Sequence, residues 1–82
     1  MNFGGAIEAI KNGECVQRKG WNGKNMFIFL ESHFKYLIPS GAFKGKEKEY
    51  EPVICMFTAQ GKIQTGWLAS QADILAEDWQ TI

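Results

Sequence analysis

Met26-Phe27-Ile28-Phe29-Leu30 is the stretch that decides how the rest of this chain is read. Successive side chains of a strand point to opposite faces of a sheet, so an unbroken apolar run of this length predicts a strand with no wet face. Val53-Ile54-Cys55-Met56-Phe57-Thr58 repeats the pattern. Antiparallel sheets normally keep polar residues on one side. A single amphipathic helix covers only one face of such a sheet, which leaves the other side of both strands to be covered by something else. A second copy of the chain is the simplest cover, so a homo-oligomer is expected.

Working outward, residues 2–12 predict the covering helix. Asn2 is placed to cap it, and Phe3, Ala6, Ile7 and Ile10 recur at helical spacing as one apolar stripe. Glu8 and Lys11 stand three apart on the far side, and Gly13 is a natural C-terminal stop. Gly4 and Gly5 each cost about 1 kcal/mol against alanine inside a helix. They read either as a frayed first turn or as room for a neighbouring backbone or an anion. Cys15-Val16-Gln17-Arg18 alternates like a half-exposed strand, and Lys19-Gly20-Trp21-Asn22-Gly23 reads as a turn centred on Asn22-Gly23.

Downstream, residues 34–38 predict a further strand. Residues 39–52 hold two glycines and six charged side chains and read as a solvated loop or a hairpin arm. Ala59-Gln60-Gly61-Lys62 is a hairpin turn into the strand Ile63-Gln64-Thr65. Ser70-Gln71-Ala72-Asp73 fits the capping-box pattern and predicts a short helix over residues 71–76. Residues 77–82 alternate as a final strand, with Trp79 and Ile82 facing inward. The expected fold class is α+β: a small antiparallel sheet, an N-terminal helix packed on one face and a short C-terminal helix, in a single domain over residues 1–82.

A chain of 82 residues builds one thin core, for which oligomerisation or a staple compensates. Cys15 and Cys55 lie in separate apolar stretches with no C-x-x-C or Cys/His cluster, and read as reduced core residues rather than a disulfide or metal site. The opening residues carry no basic region followed by an apolar run, and the longest apolar run of about five is far short of the roughly twenty that span a bilayer. A soluble cytoplasmic protein is expected, with no membrane partner. Nine basic residues balance nine acidic ones, which argues against binding a long nucleic acid, whose affinity comes from displaced counterions. A small anion beside Arg18, Lys19 and Lys24 stays open.

Catalytic chemistry finds little support. His33, the single histidine, has no local carboxylate or nucleophile and reads as a loop or edge residue. Neither the P-loop pattern nor G-x-G-x-x-G is present, and zinc-hydrolase spacing is missing. Asp73 and Asp78 are the only aspartates and offer an acid/base pair on paper, but Asp73 already has a capping task. The tryptophans say more. Trp21 lies in a glycine-flanked turn, Trp67 just before a helix start. Both read equally as core plugs or as planar walls for a purine, where stacking on an aromatic gives roughly 1–3 kcal/mol per base. Trp79 reads as core.

Three stretches carry a resemblance: Asn2-Phe3-Gly4 opening a helix, Arg18-Lys19-Gly20-Trp21-Asn22-Gly23, and Trp67-Leu68-Ala69-Ser70-Gln71-Ala72-Asp73 followed by Leu75-Ala76-Glu77-Asp78-Trp79. Together they resemble the second Thoeris anti-defence family of phages, over nearly the whole chain. The resemblance implies a molecular sponge that forms homotetramers in the host cytoplasm. It would sequester glycocyclic ADP-ribose, the signal of bacterial TIR-domain defence enzymes, without cleaving it or using a cofactor. It also implies a separate site for cyclic oligonucleotides in some relatives. Carried onto matching positions, the resemblance places the ligand around Arg18, Trp21, Asn22, Trp67, Ser70 and Asp73. Trp21 or Trp67 would stack a base, Arg18 would pair with phosphate, and Asn22, Ser70 and Asp73 would bond ribose hydroxyls or base edges. Phe27 would complete the apolar wall from a neighbouring subunit. The chain departs from the family pattern at Gly5 and across residues 43–51.

Two other classes compete with the sponge. An enzyme that cleaves the nucleotide would release an altered product with turnover above the protein concentration. A structural or protein-interaction module of a phage would instead use the two-faced strands as partner surface and carry no nucleotide through purification.

Overall fold

The computed structural model describes residues 1–21, 25–32 and 34–82. Asn22, Gly23, Lys24 and His33, with the expectations attached to them, lie outside the described residues.

The first helix, α1, runs over Phe3–Lys11. The Asn2 side chain accepts the Gly5 N–H at 2.9 Å, satisfying one of the free donors of the first turn. The two glycines of that turn make room for the chain's own start. A Cβ on Gly5 would lie 3.2 Å from Met1 Cβ, and one on Gly4 would lie 3.3 Å from the capping oxygen of Asn2. At the other end the Gly13 N–H donates to Ile10 O at 3.0 Å and the Glu14 N–H to Ala9 O at 3.1 Å. This pair of bonds forms a Schellman motif, and it needs the left-handed φ of 86° at Gly13.

The strands are β1 (Val16–Arg18), β2 (Phe27–Glu31), β3 (Lys35–Leu37), β4 (Glu47–Glu49), β5 (Val53–Phe57), β6 (Ile63–Thr65) and β7 (Trp79–Thr81), with α2 (Gln71–Leu75) between the last two. Five of them form an antiparallel sheet in the order β6-β5-β2-β1-β7. The two-faced apolar strands are its centre: β2 pairs with β5 in the register Ile28↔Met56 and Phe29↔Cys55.

Helix α1 lies on one face of this sheet. Ala6, Ala9 and Ile10 from the helix meet Val16, Ile28, Met56 and Trp79 from the strands, and all seven are buried. The opposite face, by strand parity, carries Phe27 and Phe29 of β2, Cys55 and Phe57 of β5, and Ile63 of β6. Phe27 and Phe57 stack there with centroids 4.9 Å apart. No described helix covers this side. A concavity of about 300 Å³ opens on it, lined by Phe29, Glu31, Phe34, Cys55, Ile63 and Thr65. Both cysteines are free thiols, Cys55 buried and Cys15 half-buried.

Residues 39–52 resolve into the arm reading. Strand β4 pairs antiparallel with β3, placing Lys35 opposite Glu49 and Tyr36 opposite Lys48. Phe34 and Tyr50 stack at its base with centroids 4.0 Å apart. One expectation is corrected: Ile82 does not face inward. It follows β7 on the parity of the exposed Gln80, opposite to Trp79, and stays 61% exposed. No described helix is long and apolar enough to cross a membrane.

Candidate functional site

The turn after β1, the segment before α2 and the start of β7 converge at one end of the helix-covered face. Arg18, at the end of β1, is in register with Trp79 of β7. Trp21 sits half-buried just beyond, its N–H donating to Arg18 O at 3.1 Å. Trp67 follows Gly66, whose φ of 76° turns the chain out of β6, and its N–H donates to Ile54 O at 2.9 Å. The three indoles form a mutual edge-to-face cluster. Centroid distances are 5.3 Å for Trp21–Trp79, 6.1 Å for Trp21–Trp67 and 6.3 Å for Trp67–Trp79.

Asp73 links this cluster to α2. The Ser70 hydroxyl accepts the Asp73 N–H at 3.1 Å, and Asp73 Oδ2 accepts the Ser70 N–H at 3.3 Å, completing the expected capping box. The other oxygen, Oδ1, accepts from Arg18 Nη1 at 2.9 Å and, at a longer 3.4 Å, from Trp21 Nε1. Even the backbone is used: Trp79 Nε1 donates to Asp73 O at 2.9 Å.

Asp78 holds the same guanidinium from the other side. Arg18 Nε donates to Asp78 Oδ1 at 2.9 Å and the Gly20 N–H donates to Oδ2 at 3.0 Å. Of the residues expected at the site, Arg18, Trp21, Trp67, Ser70 and Asp73 therefore lie in one neighbourhood. Phe27 does not join them within the chain, because its parity puts it on the open face of the sheet. Asp78 is the member that sequence reasoning missed as a partner of this group. It is 60 positions from Arg18, and only its place in the closing Glu77-Asp78-Trp79 run hinted at a role.

The electrostatics follow from the bonding. Burial pushes the Asp73 carboxyl up, but hydrogen bonds from Arg18, Ser70 and Trp21 outweigh it and the net shift is downward. The Arg18 hydrogen bond pulls Asp78 down, against a smaller opposing effect of burial, and Gly20 adds to the pull. Arg18 in turn is raised, first by Asp78 and then by Asp73. Both carboxylates are thus more acidic folded than unfolded, so their contribution to stability is complete above the ordinary aspartate value of about 3.9 and disappears as pH falls through the lower folded values. Thermal unfolding followed from pH 7 to pH 2 should show a loss of Tm beginning below about pH 4 that is reduced in an Asp73→Asn variant. An unchanged acid profile in that variant would show that Asp73 contributes nothing to it.

Neither carboxylate is set up as a general acid. A general acid needs a raised value, whereas these two carboxylates share one cation and are both held ionised. No group of three or more potential metal ligands occurs among the described residues.

A family model for the Thoeris anti-defense 2-like domain matches residues 1–82 of this chain. Among characterised proteins, Thoeris anti-defense 2 of Bacillus phage SP01 is 44% identical over 85 aligned residues, which span 100% of this chain and 94% of that protein.

Proposed function

The chain belongs to the Thoeris anti-defense 2-like family and so has an anti-defence role, and we propose that it exercises that role by capture, binding a cyclic nucleotide signal of the glycocyclic ADP-ribose type and holding it uncleaved. One observation carries the choice of capture over cleavage. The carboxylates beside Trp21 and Trp67 are both tied to Arg18 and shifted toward the anionic form, so among the described residues this neighbourhood offers aromatic surface without a carboxylic acid to protonate a leaving group. Half-buried indoles suit the task, since a ring already held by packing loses little freedom when a base stacks on it.

Capture by stoichiometry requires tight binding; a Kd near 1 nM corresponds to about −12 kcal/mol. Walls from more than one chain enclose a small anion better than one surface does. A homo-oligomer, a tetramer in this reading, joins copies through the open sheet face and brings Phe27 of one copy toward the ligand of another. The test is retention. Protein is mixed with glycocyclic ADP-ribose, filtered, then heat-denatured, and intact ligand is expected in the supernatant in proportion to protein. An altered product, with turnover exceeding the protein, would make the chain an enzyme; ligand in the filtrate alone would end the capture reading.

A further inference from the structure

Residue 78 makes three bonds to three consecutive residues of the turn that presents Trp21. Its carboxylate holds Arg18 Nε and the Gly20 N–H, at 2.9 and 3.0 Å, and its backbone oxygen accepts the Lys19 N–H at 3.0 Å. The next residue, Trp79, is buried and meets Trp21 edge-on. Across the cluster, Asp73 holds the remaining arm of Arg18 and reaches Trp21 Nε1. The turn is therefore pinned on both sides, by Asp73 of α2 and by Asp78, the residue before β7.

The charge count matters as much as the geometry. One guanidinium faces two carboxylates, each within 2.9 Å, which leaves the cluster one negative charge in excess. Of the five N–H donors of an arginine, one is spent on each carboxylate. A phosphate brought against this arginine would also face the two carboxylates already bound to its Nε and Nη1. Their repulsion offsets the attraction of the single cation, so the cluster is a poor phosphate seat.

We infer that Arg18, Asp73 and Asp78 are positioning residues that fix Trp21 for stacking, and that a captured nucleotide turns its base and hydroxyls, not its phosphates, toward them. This rests on the capture reading for the ligand and on the structure alone for the brace. It replaces the phosphate-pairing role that the family resemblance implies for Arg18.

Two measurements separate these layers. The first needs no ligand: amide hydrogen exchange of wild type, Asp78→Ala and Asp78→Glu. Residues 18–21 of Asp78→Ala are expected to exchange at least tenfold faster while β2 and β5 keep their protection, with partial recovery in Asp78→Glu. Unchanged exchange in residues 18–21 would overturn the brace. The second is calorimetric titration of glycocyclic ADP-ribose into wild type, Asp78→Ala and Arg18→Gln across a range of salt concentrations. Both variants are expected to bind at least tenfold more weakly, with the salt dependence of Kd unchanged. A shallower salt dependence in Arg18→Gln would mean that Arg18 does pair with phosphate, and wild-type affinity in Asp78→Ala would mean that positioning is unimportant. If wild type itself does not bind while exchange responds as expected, the capture reading fails and the brace stands.

Discussion

Trp79→Ala is expected to cost about 4 kcal/mol, within the range for removing a buried tryptophan from a core. A chain of this length has a total stability on the order of 4 to 12 kcal/mol, so much of the population would unfold near physiological temperature. The indole is 2% exposed and touches three other aromatic rings: Phe3 at 5.6 Å, Trp21 at 5.3 Å and Trp67 at 6.3 Å between centroids. Its Nε1 also donates to Asp73 O, so truncation removes the shorter of the two hydrogen bonds that carbonyl accepts, leaving only the 3.4 Å one from the Ala76 N–H, as well as leaving a cavity. Thermal unfolding followed by circular dichroism should show Tm lowered by about 20 °C, at several degrees per kcal/mol for a domain of this size. Trp79→Phe, which keeps a ring and loses the N–H, should fall between the two. A drop of only a few degrees in Trp79→Ala would show that the three indoles do not form one packed unit.

That prediction draws on parts of the fold that were plain in the sequence. Asn2, the Phe3/Ala6/Ile10 stripe and Gly13 define α1, because capping, helical period and a left-handed stop are local properties. The capping box at Ser70 and Asp73 was legible for the same reason. Strand β4 was less so. Glu47-Lys48-Glu49 has no strand propensity of its own, and it pairs because Lys35 lies opposite Glu49 while Gly41 and Gly45, at φ 84° and 81°, let the chain reverse. Which residues would share a neighbourhood was partly visible, but their bonding was not. Nothing near Arg18 announces that its charge is taken up by Asp73 and Asp78, 55 and 60 positions away. Sequence alone left Arg18 open to a small anion, and only the fold shows the two carboxylates that it pairs with.

The open face of the sheet carries the last prediction: the wild-type protein should run in solution at a multiple of 9.3 kDa, and Phe29→Asp should reduce it to a single chain. In the isolated chain the polar side chains of this face are Gln17 of β1 paired with Gln80 of β7, and Glu31 and Thr65 at the ends of β2 and β6. The other three strands present Phe27, Phe29, Cys55, Phe57 and Ile63, with Ile63 still 63% exposed. Such a face on an antiparallel sheet is normally polar, so its apolar side chains are best explained by a covering surface. Phe29 is the informative position. It is only half-buried within the chain and points away from the α1 core, so aspartate there leaves that core intact. In an assembly, however, the same carboxylate would enter a dry interface without a cation to meet it, at a cost of several kcal/mol. Light scattering at micromolar concentration would distinguish the cases, with circular dichroism to confirm that the variant is folded. A wild type of 9.3 kDa would remove the oligomer, and with it the route by which Phe27 reaches a ligand. A Phe29→Asp protein that stays assembled would move the interface elsewhere, with the exposed Tyr36 and Phe43 of the β3–β4 arm as the next surface to examine.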